Sequence, residues 1–111
     1  MAHPYLGNLQ QLIERHIDGP LISQINCKHF FSGAAAYING QIFMSLSPAG
    51  LALKLSDEDV TELFQLGGTP LRYFAKAPIK KGYAVLPHNL TEHQTATRDW
   101  IIKSLRHCQK R

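Results

Sequence analysis

Apolar positions near the start of the chain recur at helical spacing. Leu9, Leu12, Ile13, His16 and Ile17 share one face, which predicts a helix over roughly Asn8 to Ile17. Asn8 and Gln11 resemble a capping pair. "DGP", Asp18 to Pro20, stops the helix: Gly19 suits a left-handed turn and Pro20 cannot continue a helix. His16 is expected at the helix C-terminus, where positive charge is favourable.

From Leu21 to Leu55 the period shortens to two. "YINGQIF" places Asn39-Gly40 between apolar runs, and both residues tolerate the positive φ angles of a type I′ turn, so a hairpin is predicted. Its first strand runs from about Gly33 to Ile38. In the second, Ile42, Met44 and Leu46 alternate with Phe43 and Ser45. "SPAG" is turn chemistry. "LALKL" then sets Leu51, Leu53 and Leu55 on one face and Ala52 and Lys54 on the other. An earlier strand is expected within Ser23 to Phe31.

"SDEDVTELFQLGG" reads as a second helix. Ser56 is its N-cap, Asp57, Glu58 and Asp59 favour the positive end of the dipole, and Gly67-Gly68 ends it. Val60, Leu63, Phe64 and Leu66 form the expected buried stripe. Short strands follow near Leu71 to Phe74 and in "GYAVLP", where Tyr83 and Val85 share a face and Pro87 marks an exit. A third helix starts at Thr91, which with Gln94 fits a capping box. Thr97, Trp100, Ile101, Leu105 and Cys108 make its apolar face, with Trp100 as a core anchor. The order helix, strands, helix, strands, helix predicts an α+β fold: a two-layer sandwich with an antiparallel sheet of about five strands and three helices.

Length and composition bound this picture without changing it. The 111 residues, 44% apolar and 18% charged, suit one globular domain spanning 1–111. No apolar run approaches the roughly 20 residues of a membrane helix. The start, "MAHPYLGNLQ", lacks the pattern of an export signal, so a cytoplasmic location is expected, with Cys27 and Cys108 as reduced thiols.

Charge adds one candidate surface. The formal net charge is +4; from Arg98 onward Arg98, Lys103, Arg106, Lys110 and Arg111 stand against Asp99 alone, and that segment by itself carries +4. Arg72, Lys76, Lys80 and Lys81 form a second basic group. Lys103, Arg106, Lys110 and Arg111 are therefore candidates for nucleic-acid contact. Against this, cations in a last helical turn complement the helix dipole, and no aromatic platform is interleaved with them.

Catalytic chemistry finds little support. "FFSGAAAY" lacks the spacing and terminal Lys-Ser/Thr of a phosphate loop, and no helix follows it. His3, His16, His29, His88, His93 and His107 form neither HExxH nor HxH; Cys27 and His29 share a strand face but make only two ligands. No Gly-x-Ser-x-Gly elbow occurs. Cys108, beside Lys103, Arg106 and His107, is either an activated thiol or the end of the apolar stripe. No catalytic residue, metal or cofactor is expected.

"HFFSGAAAYINGQIFMSLSPAGLALKLSDEDVTELFQLGGTPLRYF" followed by "KGYAVLP" resembles the TfoX/Sxy N-terminal domain family. Phe31-Ser32-Gly33 stands where that family has Phe-Gly-Gly; Gly40 supplies its glycine turn, Leu51-Ala52-Leu53-Lys54 its "lyLK" strand, and Lys81-Gly82-Tyr83 its later strand. The likeness runs from about Ile22 to Leu105. It implies an antiparallel sheet with helices on one side, structural signature positions at Phe31, Gly33, Gly40, Lys54, Gly82 and Tyr83, and no established catalytic residues. It also implies a link to regulators of natural competence thought to act with the cyclic-AMP receptor protein. The chain ends where the longer regulators continue into a helical half, so a free-standing domain is expected. The expected role is a non-enzymatic bacterial regulatory domain that binds a protein partner and forms a homodimer. Direct nucleic-acid binding through the Lys103 to Arg111 end and the Arg72 to Lys81 loop is the alternative, and a thiol sensor at Cys27 or Cys108 a third.

Overall fold

Asn39 and Gly40 both take left-handed backbone, with φ of 52° and 75°, and form the tight turn their sequence predicts. Around that hairpin the computed structural model describes residues 4–17, 19–30, 33–72 and 76–109. In chain order the elements are α1 (Tyr5–His16), α2 (Gly19–Ile22), β1 (Asn26–Phe30), β2 (Gly33–Ile38), β3 (Gln41–Ser47), β4 (Gly50–Lys54), α3 (Asp57–Gln65), β5 (Thr69–Pro70), β6 (Tyr83–Val85), α4 (His88–Thr91) and α5 (Gln94–Gln109). The strands form one antiparallel sheet in the order β1-β2-β3-β4-β6-β5. The fold is α+β, as expected.

The two sheet faces meet different material. Ala34, Ala36, Ile38, Leu51, Leu53 and Leu55 project toward α1, α3 and α5, where they pack with Leu9, Ile13, Leu63, Trp100, Ile101 and Leu105. Ala52, Tyr83 and Val85 project the other way and pack with Leu71, joined by Ile42. Leu71 thus lies on the face opposite the helices, and its carbonyl accepts from the Lys80 N–H at 2.9 Å.

One irregularity sets the register of β3. Ala36 pairs with Met44 and Tyr37 with Ile42, so Phe43 is an extra residue, a β-bulge. Simple alternation puts Phe43 and Ser45 on one face. The bulge instead turns Phe43 and Met44 both into the helix-side core and sends Ile42 to the opposite face.

Several boundaries differ from the sequence reading for physical reasons. α1 begins earlier, behind Pro4, and Asn8 lies inside it with its N–H on the Pro4 carbonyl, so no Asn8 cap forms. The helix breaks at Ile17, which is extended (φ −117°, ψ 137°), and Gly19-Pro20 opens the single turn α2, because proline is tolerated in a first turn. The third helix is split. Pro87 starts the short α4, the Thr91 hydroxyl donates to the His88 carbonyl instead of capping α5, and Thr97 Oγ1 ties α5 back to the Leu90 carbonyl at 2.9 Å. The strand expected near Leu71 pairs earlier, as Thr69–Pro70, while Leu71 is buried in the loop; Tyr73 and Phe74 lie outside the described residues.

Candidate functional site

The signature positions prove to be joints of the scaffold. Gly33 sits so close to β3 that a Cβ there would collide with the Leu46 carbonyl and with Ser47. Gly82 has φ of 84° and begins the turn into β6. Lys54 pairs with Tyr83 across β4 and β6, its Nζ lies 5.7 Å from the ring centroid, and it donates to Gln41 Oε1 at 3.1 Å. The Tyr83 hydroxyl reaches over the sheet to the Ile42 carbonyl at 2.8 Å. Phe31 lies outside the described residues.

A groove of about 620 Å³ opens between α3 and α5. Its cause is the end of α3. The Leu66 N–H is shared between the Glu62 and Leu63 carbonyls, Gly67 takes φ of 104°, and the Gly68 N–H closes on the Leu63 carbonyl at 2.8 Å. This cap turns Leu66 outward, 48% exposed, and Phe64 is exposed as well. The sequence stripe assigned both to the core; Leu63 alone in α3 is fully buried. Leu66, Leu90, Ala96 and Ile102 supply the apolar wall with the edge of Trp100, whose body is buried as expected.

Charges of both signs rim the groove. Glu62 and Asp99 stand on it beside Lys103 and Arg106. Lys103 is folded down, 4.5 Å from the Trp100 centroid and 4.0 Å from Asp59 Oδ1. Of the four candidate nucleic-acid residues, the structure therefore brings Lys103 and Arg106 together on a surface interleaved with acids; Lys110 and Arg111 lie outside the described residues. Asp99 was within reach of sequence reasoning, since Asp99 and Arg106 are seven residues apart and share a helix face; Glu62, on α3, is brought there by packing.

Of the remaining candidates, His16 and Cys108 are placed in the core, while His29, His88 and His93 are exposed. His16 is the last residue of α1, as expected, but it is buried; burial first, then the charges of Arg98 and Arg15, push its pKa below the ordinary value, so it is held neutral. Cys108 is fully buried at the end of the α5 stripe, while Cys27 is half-buried and its thiol is pushed up by burial. The sequence reading missed Ser104, which lies in the α5 core face and donates to the Phe43 carbonyl at 2.6 Å. Among the described residues no helix is long and apolar enough to cross a membrane.

A comparison with curated proteins finds no match. The TfoX N-terminal domain family matches residues 20–108, which takes in every strand and all helices but the first, the first residue of α2 and the last of α5. With most of its length matched and the signature glycines, Lys54 and Tyr83 acting as joints of the sheet, the chain belongs to the TfoX N-terminal domain family.

Proposed function

We propose that this domain is a non-enzymatic, cytoplasmic regulatory module that works by holding a protein partner, in the manner of the N-terminal half of competence regulators. The observation that carries the reading is the α3–α5 groove, with Leu66 48% exposed at its wall. A contiguous apolar wall rimmed by polar residues, here Leu66, Leu90, Ala96 and Ile102, is the form interaction surfaces take. Family membership supports the regulatory context. The partner that fits is an amphipathic protein segment. Its apolar anchor enters beside Trp100 and Leu66, its acids face Lys103 and Arg106, and its bases face Glu62 and Asp99.

The test begins with the tagged chain in its own cell. The captured protein is identified, purified and titrated against the wild-type domain and Leu66→Glu. Loss of affinity of about tenfold or more, with unchanged thermal stability, is expected, because a desolvated charge replaces an apolar contact. Binding that ignores Leu66→Glu, or no specific partner at all, counts against the reading.

A further inference from the structure

All eight carboxylates of the chain lie at positions 14–18, 57–62 and 92–99, and the stretches 19–56 and 63–91 contain none. Those two acid-free stretches supply every described strand of the sheet and Leu71, which packs on its second face. They hold six cations: Lys28, Lys54, Arg72, Lys76, Lys80 and Lys81. The rest of the chain holds the other six cations with all eight acids. The modest net charge of +4 thus conceals a domain that is +6 over the sheet and its loop and −2 elsewhere.

The geometry gathers the positive part on one side. Lys28 lies over the Tyr37 ring at 5.5 Å, and Lys54 and Lys80 lie over Tyr83 at 5.7 and 6.0 Å. Tyr83 packs on the face turned away from α1, α3 and α5, and Tyr37 pairs with Ile42, which packs there too. Lys80 is exposed over that same face, Lys81 is exposed in a recess it shares with Lys54, Lys76 is exposed in the same segment, and Arg72 is exposed while donating to the Ala77 carbonyl at 2.9 Å. β1 and β4, which carry Lys28 and Lys54, are three strand spacings apart, about 14 Å. Asp57 borders this surface in the recess it shares with Lys54, Lys81 and His107.

We propose that this sheet-side surface binds the phosphate backbone of nucleic acid. The inference goes beyond the protein-partner reading and does not rest on it. A surface dominated by cations, with Asp57 at its border, matches a line of phosphates better than a partner that presents charges of both signs. The rings argue for backbone contact over base stacking. Tyr83 is 6% exposed beneath two ammonium groups and offers no free face to a base, and Lys28 lies over the Tyr37 ring. Binding is therefore independent of base sequence. The site differs from the C-terminal helix, where Lys103 and Arg106 are interleaved with Glu62 and Asp99.

The test is fluorescence anisotropy of the full chain with a labelled duplex of about 20 base pairs at about 50 mM salt. Four neutralised phosphates predict an affinity loss of about 10²-fold on moving to about 200 mM salt. Lys76→Glu/Lys80→Glu/Lys81→Glu is expected to weaken binding by about tenfold or more, and Lys28→Glu at the far edge by about threefold. Arg106→Glu/Lys110→Glu/Arg111→Glu is expected to have a smaller effect than the loop triple variant. Leu66→Glu is expected to leave DNA binding unchanged, which separates this surface from the groove. No binding at low salt overturns the proposal. So does a C-terminal variant that abolishes binding while the loop variant does not. Tighter binding to poly-glutamate than to DNA assigns the surface to an acidic protein and also overturns it.

Discussion

The hydroxyl of Ser104 on α5 donates to the carbonyl of Phe43, the bulged residue of β3, at 2.6 Å in the buried layer between helix and sheet. The extra residue removes this position from the regular ladder, and a side chain from another element takes up its acceptor. Ser104→Ala leaves that carbonyl buried without its donor. A loss of about 1–3 kcal/mol is expected, read as a lower urea midpoint with an unchanged m-value.

Ser45 is the opposite case. It is 2% exposed, and its Oγ has no hydrogen-bond partner among the described residues. Ser45→Ala removes a buried polar group that gains nothing in return, so the variant is expected to be as stable as the parent or more stable by about 1 kcal/mol. A melting temperature several degrees lower would refute this account of the sheet's second face.

Gly33 and Gly40 are both required, for different reasons. At Gly33 an added methyl meets the backbone of the neighbouring strand, which cannot move away without opening the β2–β3 ladder. At Gly40 the space is open and the difficulty is its φ of 75°. Gly40→Ala is expected to cost about 1 kcal/mol and Gly33→Ala about 2 kcal/mol or more. Equal losses in denaturant titration would show that close approach is not the constraint at Gly33.

Acid should weaken the fold through His16. Its imidazole is buried, its Nδ1 has no partner among the described residues, and the nearby charges are Arg15 and Arg98. Because its folded pKa lies below 6.5, the unfolded chain binds the proton more readily. The stability held by neutral His16 is complete above 6.5 and is lost as pH falls through the lower folded value. Urea midpoints should decline over that window, and His16→Gln should flatten the decline. An identical pH profile in the variant would assign the effect to other groups.

Local chemistry was readable where one residue decides the conformation. Asn39-Gly40 fixes its turn by backbone preference alone, and Ser56 caps α3 through the Asp59 N–H at 3.2 Å. Features set by packing between distant segments were not readable. The bulge at Phe43 depends on what α5 presents to it. Leu66 fits a helical stripe by spacing, yet the glycine cap turns it out to solvent. The charge division of the candidate surfaces lay between these cases. The acid-free stretches are visible in the sequence, but only the packing of Lys28, Lys54 and Lys80 over Tyr37 and Tyr83 shows that these cations share one side.

The strand order has a last consequence for solubility. The sheet ends on one side with β5, two residues long and closed by Pro70, which cannot donate to a further strand. On the other side it ends with β1, five residues long and largely exposed. Growth of the sheet by a foreign strand is thus blunted at one margin and open at the other. Lys28, at the centre of β1, is the gatekeeper there: adding a strand would require its charge to be desolvated or displaced from the Tyr37 ring. The residue that contributes to the positive surface in the folded domain also guards the domain against aggregation.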